Sequence, residues 1–167
     1  MGFRLDNGVR VLIRPIRPDD KDRLAAGLAR LSDESVRKRF LAPKPSLSGN
    51  ELRYLTELDY VDHWAEVAVL EDDPEAIVGV ARWIRDERDP HAAEAAIVVA
   101  DELHGLGLGR RLGRSIADAA RQRDVRRFTA TMLSDNLAAQ RLFAAISERL
   151  EVEHDGPVDA VVATLAA

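Results

Sequence analysis

The stretch that decides the fold is residues 94–111, which read EAAIVVADELHGLGLGRR. An apolar run ends at Val99, glycines follow at Gly105, Gly107 and Gly109, and two arginines come directly after them. Glycine lets the backbone approach a ligand closely, and the first turn of a helix presents unpaired N–H groups with a partial positive charge. The pattern therefore predicts a strand, a glycine turn and a helix N-terminus that binds an anion, most often a phosphate.

The composition limits which partners this turn can serve. The chain has 167 residues, 46% of them hydrophobic, and we expect one domain that spans residues 1–167. The formal net charge of −5 argues against nucleic acid as a partner and suits a cationic substrate. The absence of cysteine excludes a cysteine nucleophile, and the four histidines are too dispersed to suggest a metal site.

Neither a secretion signal nor a membrane span is visible in the sequence. The first residues lack the apolar core of a signal peptide, and no apolar run approaches the ~18 residues that a membrane span needs. We therefore expect a cytoplasmic protein without a membrane partner. The sequence leaves the oligomeric state open, and a homodimer is one option.

The hydrophobic pattern along the rest of the chain predicts a mixed sheet with helices on its faces. This order of elements is typical of an α/β fold with a single core. In chain order we predict a strand at 9–16, helical segments from about 19, 32 and 48, strands at 64–70, 77–84 and 94–100, a helix at 107–123, a strand at 126–133, a helix after 136, and a final hairpin.

Several kinds of loop contain closely spaced glycines, and the spacing separates them. A plain tight turn needs fewer than three glycines within five residues. A dinucleotide fingerprint requires GxGxxG, and Arg110 occupies its third glycine position, so an NAD-binding domain is only a weak alternative. A P-loop would need Gly-Lys followed by Ser or Thr, which does not occur here.

The glycine stretch resembles the acyl-CoA pyrophosphate loop of the GNAT N-acetyltransferases. In that family Gln or Arg is followed after two residues by Gly, one further residue, and Gly or Ala; His104, Gly107 and Gly109 take these places here. Residues 136–143, NLAAQRLF, are similar to the family's second motif, NxxAxxLY. Four stretches look like the catalytic domain of bacterial protein lysine acetyltransferases: RPIRPDD at 14–20, LDYVDHWAEVAV at 58–69, AEAAIVVADELHGLGLG at 93–109 and RRFTATMLSDN at 126–136.

The resemblance implies a fold, a co-substrate and a set of binding residues. The fold would be a mostly antiparallel sheet of six to seven strands flanked by helices. The co-substrate would be acetyl-CoA and the acceptor a primary amine, with a protein lysine ahead of a small molecule; no metal is implied. The residues that it assigns to acetyl-CoA are Ile97, Val98, Val99, His104, Gly105, Leu106, Gly107, Leu108, Gly109, Arg110, Asn136 and Phe143.

Some of these positions depart from the family pattern. His104 replaces Gln or Arg, and Leu106 stands where a basic residue is common, so we expect Arg110, Arg111 and Arg114 to supply the missing charge. Phe143 stands where many members have a tyrosine that serves as general acid. A CoA thiol with a pKa of about 8.5 can leave as a thiolate, so the reaction can proceed without that acid.

An amine acceptor must lose a proton before it attacks. A lysine with a pKa of about 10.4 is neutral in roughly 1 molecule in 2,500 at pH 7, so a general base is useful. Glu94 is the first candidate, because it opens the strand before the loop and matches the glutamate that similar lysine acetyltransferases use. Glu66, in the neighbouring hairpin, is the alternative base.

The mechanism and the class of protein each keep an alternative. Without cysteine, direct transfer in a ternary complex is favoured over an acyl-enzyme, and Ser134 is a weaker alternative nucleophile. A domain that binds or senses acyl-CoA without catalysis is the alternative class of protein.

Overall fold

The computed structural model describes residues 2–44 and 46–167. The chain builds a mixed α/β structure around one eight-stranded sheet. Its strands are β1 (Gly2–Arg4), β2 (Arg10–Pro15), β3 (His63–Leu70), β4 (Ile77–Arg85), β5 (Ala92–Val99), β6 (Arg127–Leu133), β7 (Arg149–Asp155) and β8 (Val158–Thr164). Its helices are α1 (Lys21–Ala29), α2 (Asp33–Phe40), α3 (Gly49–Thr56), α4 (Leu108–Arg121) and α5 (Leu137–Ala145).

The sheet has the mostly antiparallel character that the family resemblance implies. The strands lie in the order β1-β2-β3-β4-β5-β6-β8-β7, and only β5 and β6 run parallel. The predicted fold class is therefore confirmed, with eight strands in place of six to seven. The additional strand is β1, a three-residue segment at the sheet edge that pairs with β2.

Two helices begin where the sequence predicts them, because serine side chains cap their first turns. The Ser32 hydroxyl accepts a hydrogen bond from the Ser35 N–H at 3.1 Å, at the start of α2. At the start of α3, Ser48 and Glu51 form a reciprocal capping box.

Within the described residues, no helix is both long and apolar enough to cross a membrane.

The two faces of the sheet are covered by different helices. Helix α4 packs on one face, where the Trp83 indole N–H donates to the Ile116 carbonyl at 3.1 Å. A Cβ on Gly79 would lie 2.8 Å from the Leu112 side chain, so a larger residue in β4 would force that side chain to shift. The opposite face carries a second apolar cluster, in which Leu24 of α1 packs with residues of β3 and β4. The sheet thus separates two layers of side chains.

A gap opens between the two parallel strands. Their paired residues are Ala92–Glu94 and Arg127–Thr129, whereas β5 continues to Val99 and β6 to Leu133. The second half of β5 therefore turns an edge without a strand partner toward β6. The chain leaves this half-strand and enters the glycine loop and α4, which places the loop beside the gap.

Candidate active site

A cleft of about 430 Å³ lies between α2, the second half of β5, the glycine loop and α5. Ten of the twelve residues predicted to bind acetyl-CoA line it: Ile97, Val98, Val99, His104, Gly105, Gly107, Leu108, Gly109, Arg110 and Asn136. The other lining residues come from α2, from the turn before the loop and from α5: Ser35, Lys38, Arg39, Leu103, Ala138, Ala139, Arg141 and Leu142. The two sequence motifs, about thirty residues apart, thus meet at one cleft.

The glycine loop has a conformation that other residues rarely adopt. Gly105 and Gly107 have φ angles of 75° and 88°, and Gly107 is the N-cap of α4. The Arg111 N–H donates to the Gly107 carbonyl at 3.1 Å in the first turn of α4. The preceding N–H groups, those of Leu108–Arg110, belong to the part of a helix where donors lack an intrahelical partner. The loop therefore brings backbone donors and the positive end of the α4 dipole to the cleft wall.

The backbone of β5 offers a second set of donors to the cleft. The Ala100 N–H donates to the Val78 carbonyl of β4 at 2.9 Å. Because N–H directions alternate along a paired strand, the Val98 N–H also faces β4, whereas those of Ile97 and Val99 face the gap. Of the three β5 residues that the family resemblance assigns to acetyl-CoA, Ile97 and Val99 therefore direct their backbone N–H groups toward the gap.

The cleft is positively charged although the chain carries a net charge of −5. Lys38, Arg39, Arg110 and Arg141 line it, and none of its lining residues is acidic. Lys38 pairs with Glu34 at 3.3 Å, while Arg110 and Arg141 form no ion pair with any residue that the structure describes. Free guanidinium groups beside a helix N-terminus suit a ligand with several phosphates.

His104 serves the loop itself. Its Nε2 lies 2.8 Å from the Val99 carbonyl oxygen, and since a carbonyl only accepts, this nitrogen carries the proton. The imidazole therefore ties the end of β5 to the start of the glycine loop. Among the three arginines predicted to compensate for it, Arg110 lines the cleft, whereas the Arg111 guanidinium lies over the Phe3 ring, 4.1 Å from its centroid.

Two predicted binding residues lie elsewhere. Phe143 is 4% exposed and belongs to the main apolar core, and Leu106 packs against that core, so neither lines the cleft. In α5, Leu142 lines the cleft together with Ala138, Ala139 and Arg141, whereas the residue after Leu142 turns inward with Ile146. The side chains of Phe143 and Leu106 therefore do not line the cleft, and their assignment to acetyl-CoA stays a prediction. Phe143 is buried and its side chain has no proton to donate, so it does not take the place of the tyrosine that serves as general acid in other members.

The first candidate base, Glu94, is exposed and lies on the face of the sheet that α1, α2 and α3 cover. It is the third residue of β5 and pairs with Ile84 and Thr129 at the point where the gap begins. Burial lowers the pKa of Arg39, and the negative charge of Glu94 offsets part of this effect by raising the pKa. Glu94 thus lies close enough to act electrostatically on a residue of the cleft wall.

The alternative base, Glu66, lies on the opposite face. It pairs with Ala81 of β4, whose side is that of α4, and it is only 6% exposed. One carboxylate oxygen accepts from the Trp64 indole N–H at 3.1 Å, and the other is buried without a partner among the described residues. Because Glu66 neither lines the cleft nor shares a face with Glu94, its position argues against a role as base.

Other groups that could carry chemistry serve the fold. The Ser134 hydroxyl donates to Asp159 at 3.0 Å, and the same buried carboxylate is bonded to Gln140 and His154, both at 2.7 Å. Ser134 is therefore part of a polar cluster that joins β6, α5 and the final hairpin. In the part of the chain that the structure describes, no group of three or more His, Asp or Glu residues could hold a metal ion.

The fold and the cleft are those of a known protein family. The model of the Acetyltransferase (GNAT) family matches residues 34–146. The chain belongs to this family, as its two motifs predict. It is thus an acetyltransferase that depends on acetyl-CoA as co-substrate.

Individual relatives are similar over most of the chain. Acetyltransferase Pat of Mycolicibacterium smegmatis is 33% identical over 131 residues, which are 78% of this chain and 38% of that protein. Acetyltransferase PA5475 of Pseudomonas aeruginosa is 34% identical over 143 residues, 85% of this chain and 76% of that protein. The solved GNAT domain of S. lividans PAT superimposes with a TM-score of 0.87 at 28% identity, over 99% of this chain and 96% of that one.

Proposed function

We propose that this chain transfers the acetyl group of acetyl-CoA directly to a primary amine, and that the amine is the side chain of a protein lysine. The observation that carries the proposal is the positively charged cleft of about 430 Å³ at the N-terminus of α4, beside the unpaired edge of β5. The resemblance of four sequence stretches to lysine acetyltransferases supports a lysine as acceptor. A small-molecule amine is the second candidate.

In this proposal the pyrophosphate of acetyl-CoA binds the N–H groups of residues 105–110. A helix N-terminus stabilises an anion through its free donors and its dipole. Arg110, Arg141 and Lys38 surround the same space and neutralise the remaining phosphate charge. Asn136 also lines the cleft, and its side chain caps α5 by accepting from the Ala139 N–H at 3.2 Å.

The pantetheine arm then follows the open edge of β5 toward Glu94. Ile97 and Val99 direct their N–H groups into the gap, where they can bond the pantetheine amides and polarise the thioester carbonyl. Such donors stabilise the negative charge that develops on the carbonyl oxygen when an amine attacks. The acceptor approaches from the face that carries Glu94.

The proton balance of the reaction assigns one role to this chain. The amine nitrogen attacks the thioester carbon, the carbon–sulfur bond breaks, and CoA departs as a thiolate. Glu94 takes the proton that the ammonium loses before attack through a bridging water, since its carboxylate is exposed beside the gap, and the proton that the nitrogen loses after attack passes to solvent. Phe143 has no proton to give, and a thiol pKa of about 8.5 allows the thiolate to leave unprotonated.

The proposal is tested by measuring thiol release from acetyl-CoA with a panel of lysine peptides, whole proteins and small amines. We expect release that depends on an amine acceptor and is fastest with lysine-containing polypeptides. Faster turnover with small amines would transfer the proposal to that acceptor class. Calorimetric binding of acetyl-CoA without turnover on any acceptor would favour a sensing domain, and binding of NAD in place of acetyl-CoA would contradict the assignment of the loop.

A further inference from the structure

A second, smaller cavity lies beside the cleft, on the face of the sheet that carries Glu94. Its volume is about 70 Å³, and its walls are mostly apolar side chains from α1, α2, β4 and β5. Arg39 and Val98 line both this cavity and the cleft, so the two spaces adjoin at the second half of β5. A water needs about 10–15 Å³ of such space, so the cavity accommodates only a short group.

The unusual feature of this cavity is a buried arginine in its wall. Arg82 of β4 is 4% exposed, and its Nη1 donates to the Leu55 carbonyl at 3.1 Å and to His63 Nε2 at 3.0 Å. Its Nε and Nη2 form no hydrogen bond with the described residues, and no carboxylate there pairs with it. Because Arg82 lines the cavity, these two nitrogens are the donors that it can offer to a group bound there.

The surroundings of Arg82 make its positive charge unfavourable unless an anion binds beside it. Burial and the nearby charge of Arg39 lower the pKa of Arg82 to about 9, so it is still protonated at pH 7. Burial, followed by the charge of Arg82, lowers the pKa of His63 to about 4, so the imidazole is neutral and accepts from the guanidinium. A buried guanidinium without a counter-charge is strongly unfavourable. A ligand carboxylate would supply the missing charge and occupy the two free donors as a bidentate pair.

We propose that this cavity is a carboxylate-binding subsite, in which Arg82 receives a carboxylate carried on a short apolar chain. The inference rests on the proposed function, because the cavity adjoins the acetyl-CoA cleft at Val98. Two sources present this chemistry at this place. One is an acyl group on CoA that ends in a second carboxylate, and the other is the carboxylate of a free amino acid that enters as acceptor.

The donor source is tested by calorimetric binding of succinyl-CoA and butyryl-CoA, whose acyl chains have the same number of carbons. The acceptor source is tested by binding of L-leucine and L-leucinamide to the protein saturated with CoA. Each pair differs in the terminal carboxylate, so the ratio of the two dissociation constants measures its recognition. We expect a preference of at least tenfold for the carboxylate member of one pair, and that pair identifies the source.

The variant Arg82→Gln removes the charge while keeping a donor for the Leu55 carbonyl, and it should reduce that preference to less than threefold. Arg88→Gln is the matched control, because Arg88 is exposed in the turn between β4 and β5 and lies outside the cavity. If Arg82→Gln does not fold, Arg82→Met tests the same ratio, since an apolar chain is a common substitute for a buried unpaired charge.

The outcomes separate this inference from the proposed function. Equal affinity within both pairs, or a preference that Arg82→Gln retains, would overturn the subsite while acetyl-CoA binding stands. Failure of acetyl-CoA itself to bind the wild-type chain would overturn the proposed function first. A merely structural role of Arg82 would lower the melting temperature of the variant without changing either ratio.

Discussion

The assignment of the glycine loop to a pyrophosphate predicts a charge effect at Gly107. This residue is the N-cap of α4, has a φ of 88°, and would place a Cβ with no heavy atom within 4 Å. Substitution there meets no steric clash, so its cost comes from the backbone conformation alone. Asn and Asp tolerate the left-handed region better than other residues and are both good N-caps, so Gly107→Asn and Gly107→Asp should fold with similar stability.

The two variants differ in one negative charge beside the bound pyrophosphate. Two unit charges at about 4 Å repel by about 1 kcal/mol in bulk water and by about 4 kcal/mol at an effective dielectric constant of 20. Gly107 is exposed at the cleft wall, so the repulsion should lie near the lower end of this range. With about 1.4 kcal/mol for each factor of ten, a repulsion of about 1–2 kcal/mol means that Gly107→Asp should bind acetyl-CoA about 5 to 30 times more weakly than Gly107→Asn.

Isothermal titration calorimetry at low and high salt measures this difference. The Asp variant should recover part of its affinity as ionic strength rises, because salt screens exposed charges. Circular dichroism and thermal melts of both variants exclude a difference in folding. Equal affinities of the Asp and Asn variants for acetyl-CoA at low salt would refute the placement of the pyrophosphate on this loop.

Three further predictions concern catalysis and stability. Glu94→Gln should lower the maximal rate about 10² to 10⁴ fold at pH 7, and the loss should shrink as pH rises toward the amine pKa of about 10.4. Burial alone would raise the pKa of Asp20, but the hydrogen bonds and charges of Arg14 and Arg17 outweigh burial and hold the pKa below its ordinary value. The contribution of Asp20 to stability is therefore present above about pH 4 and is lost as pH falls through the depressed pKa. Asp20→Asn should cost about 3–5 kcal/mol at pH 7 in urea unfolding and less in acid. Gly79→Ala should cost about 1–3 kcal/mol, because its methyl would meet the Leu112 side chain at 2.8 Å.

Each of these predictions has an outcome that contradicts it. An unchanged maximal rate of Glu94→Gln at pH 7, with chemistry rate-limiting, would remove Glu94 from the role of base. A constant difference in stability between wild type and Asp20→Asn down to acid pH would separate Asp20 from the acid transition. A melting temperature of Gly79→Ala equal to that of the wild type would show that α4 moves away from β4 without cost.

The parts of the structure that the sequence predicts well are those with a local signal. The apolar run of β5, the glycines that follow and the amphipathic pattern of α4 all lie within thirty residues of chain. Serine caps likewise mark the starts of α2 and α3. The sequence does not predict strand β1, because three residues are too few to show an alternating pattern. Its pairing also depends on tertiary contact with β2.

The parts that the sequence predicts poorly depend on register and on contacts between distant segments. Glu66 and Glu94 fall on opposite faces because of the alignment of β3, β4 and β5, which no single strand encodes. Lys38 and Arg39 reach the cleft because α2 packs across the end of β5. The basic run at residues 37–39 was the available signal, yet such a run is as typical of a solvent-facing helix.

Direct transfer of the acetyl group to an amine is tested most sharply by a single-turnover experiment with the chain in excess over acetyl-labelled acetyl-CoA. Samples are quenched at intervals with and without a lysine peptide, and the label is located by mass spectrometry. Direct transfer predicts that label passes from acetyl-CoA to the peptide, only when the peptide is present, without an acetylated form of the enzyme as intermediate. Label that leaves acetyl-CoA at the same rate without an acceptor, or that first appears covalently on the enzyme, would contradict direct transfer to an amine.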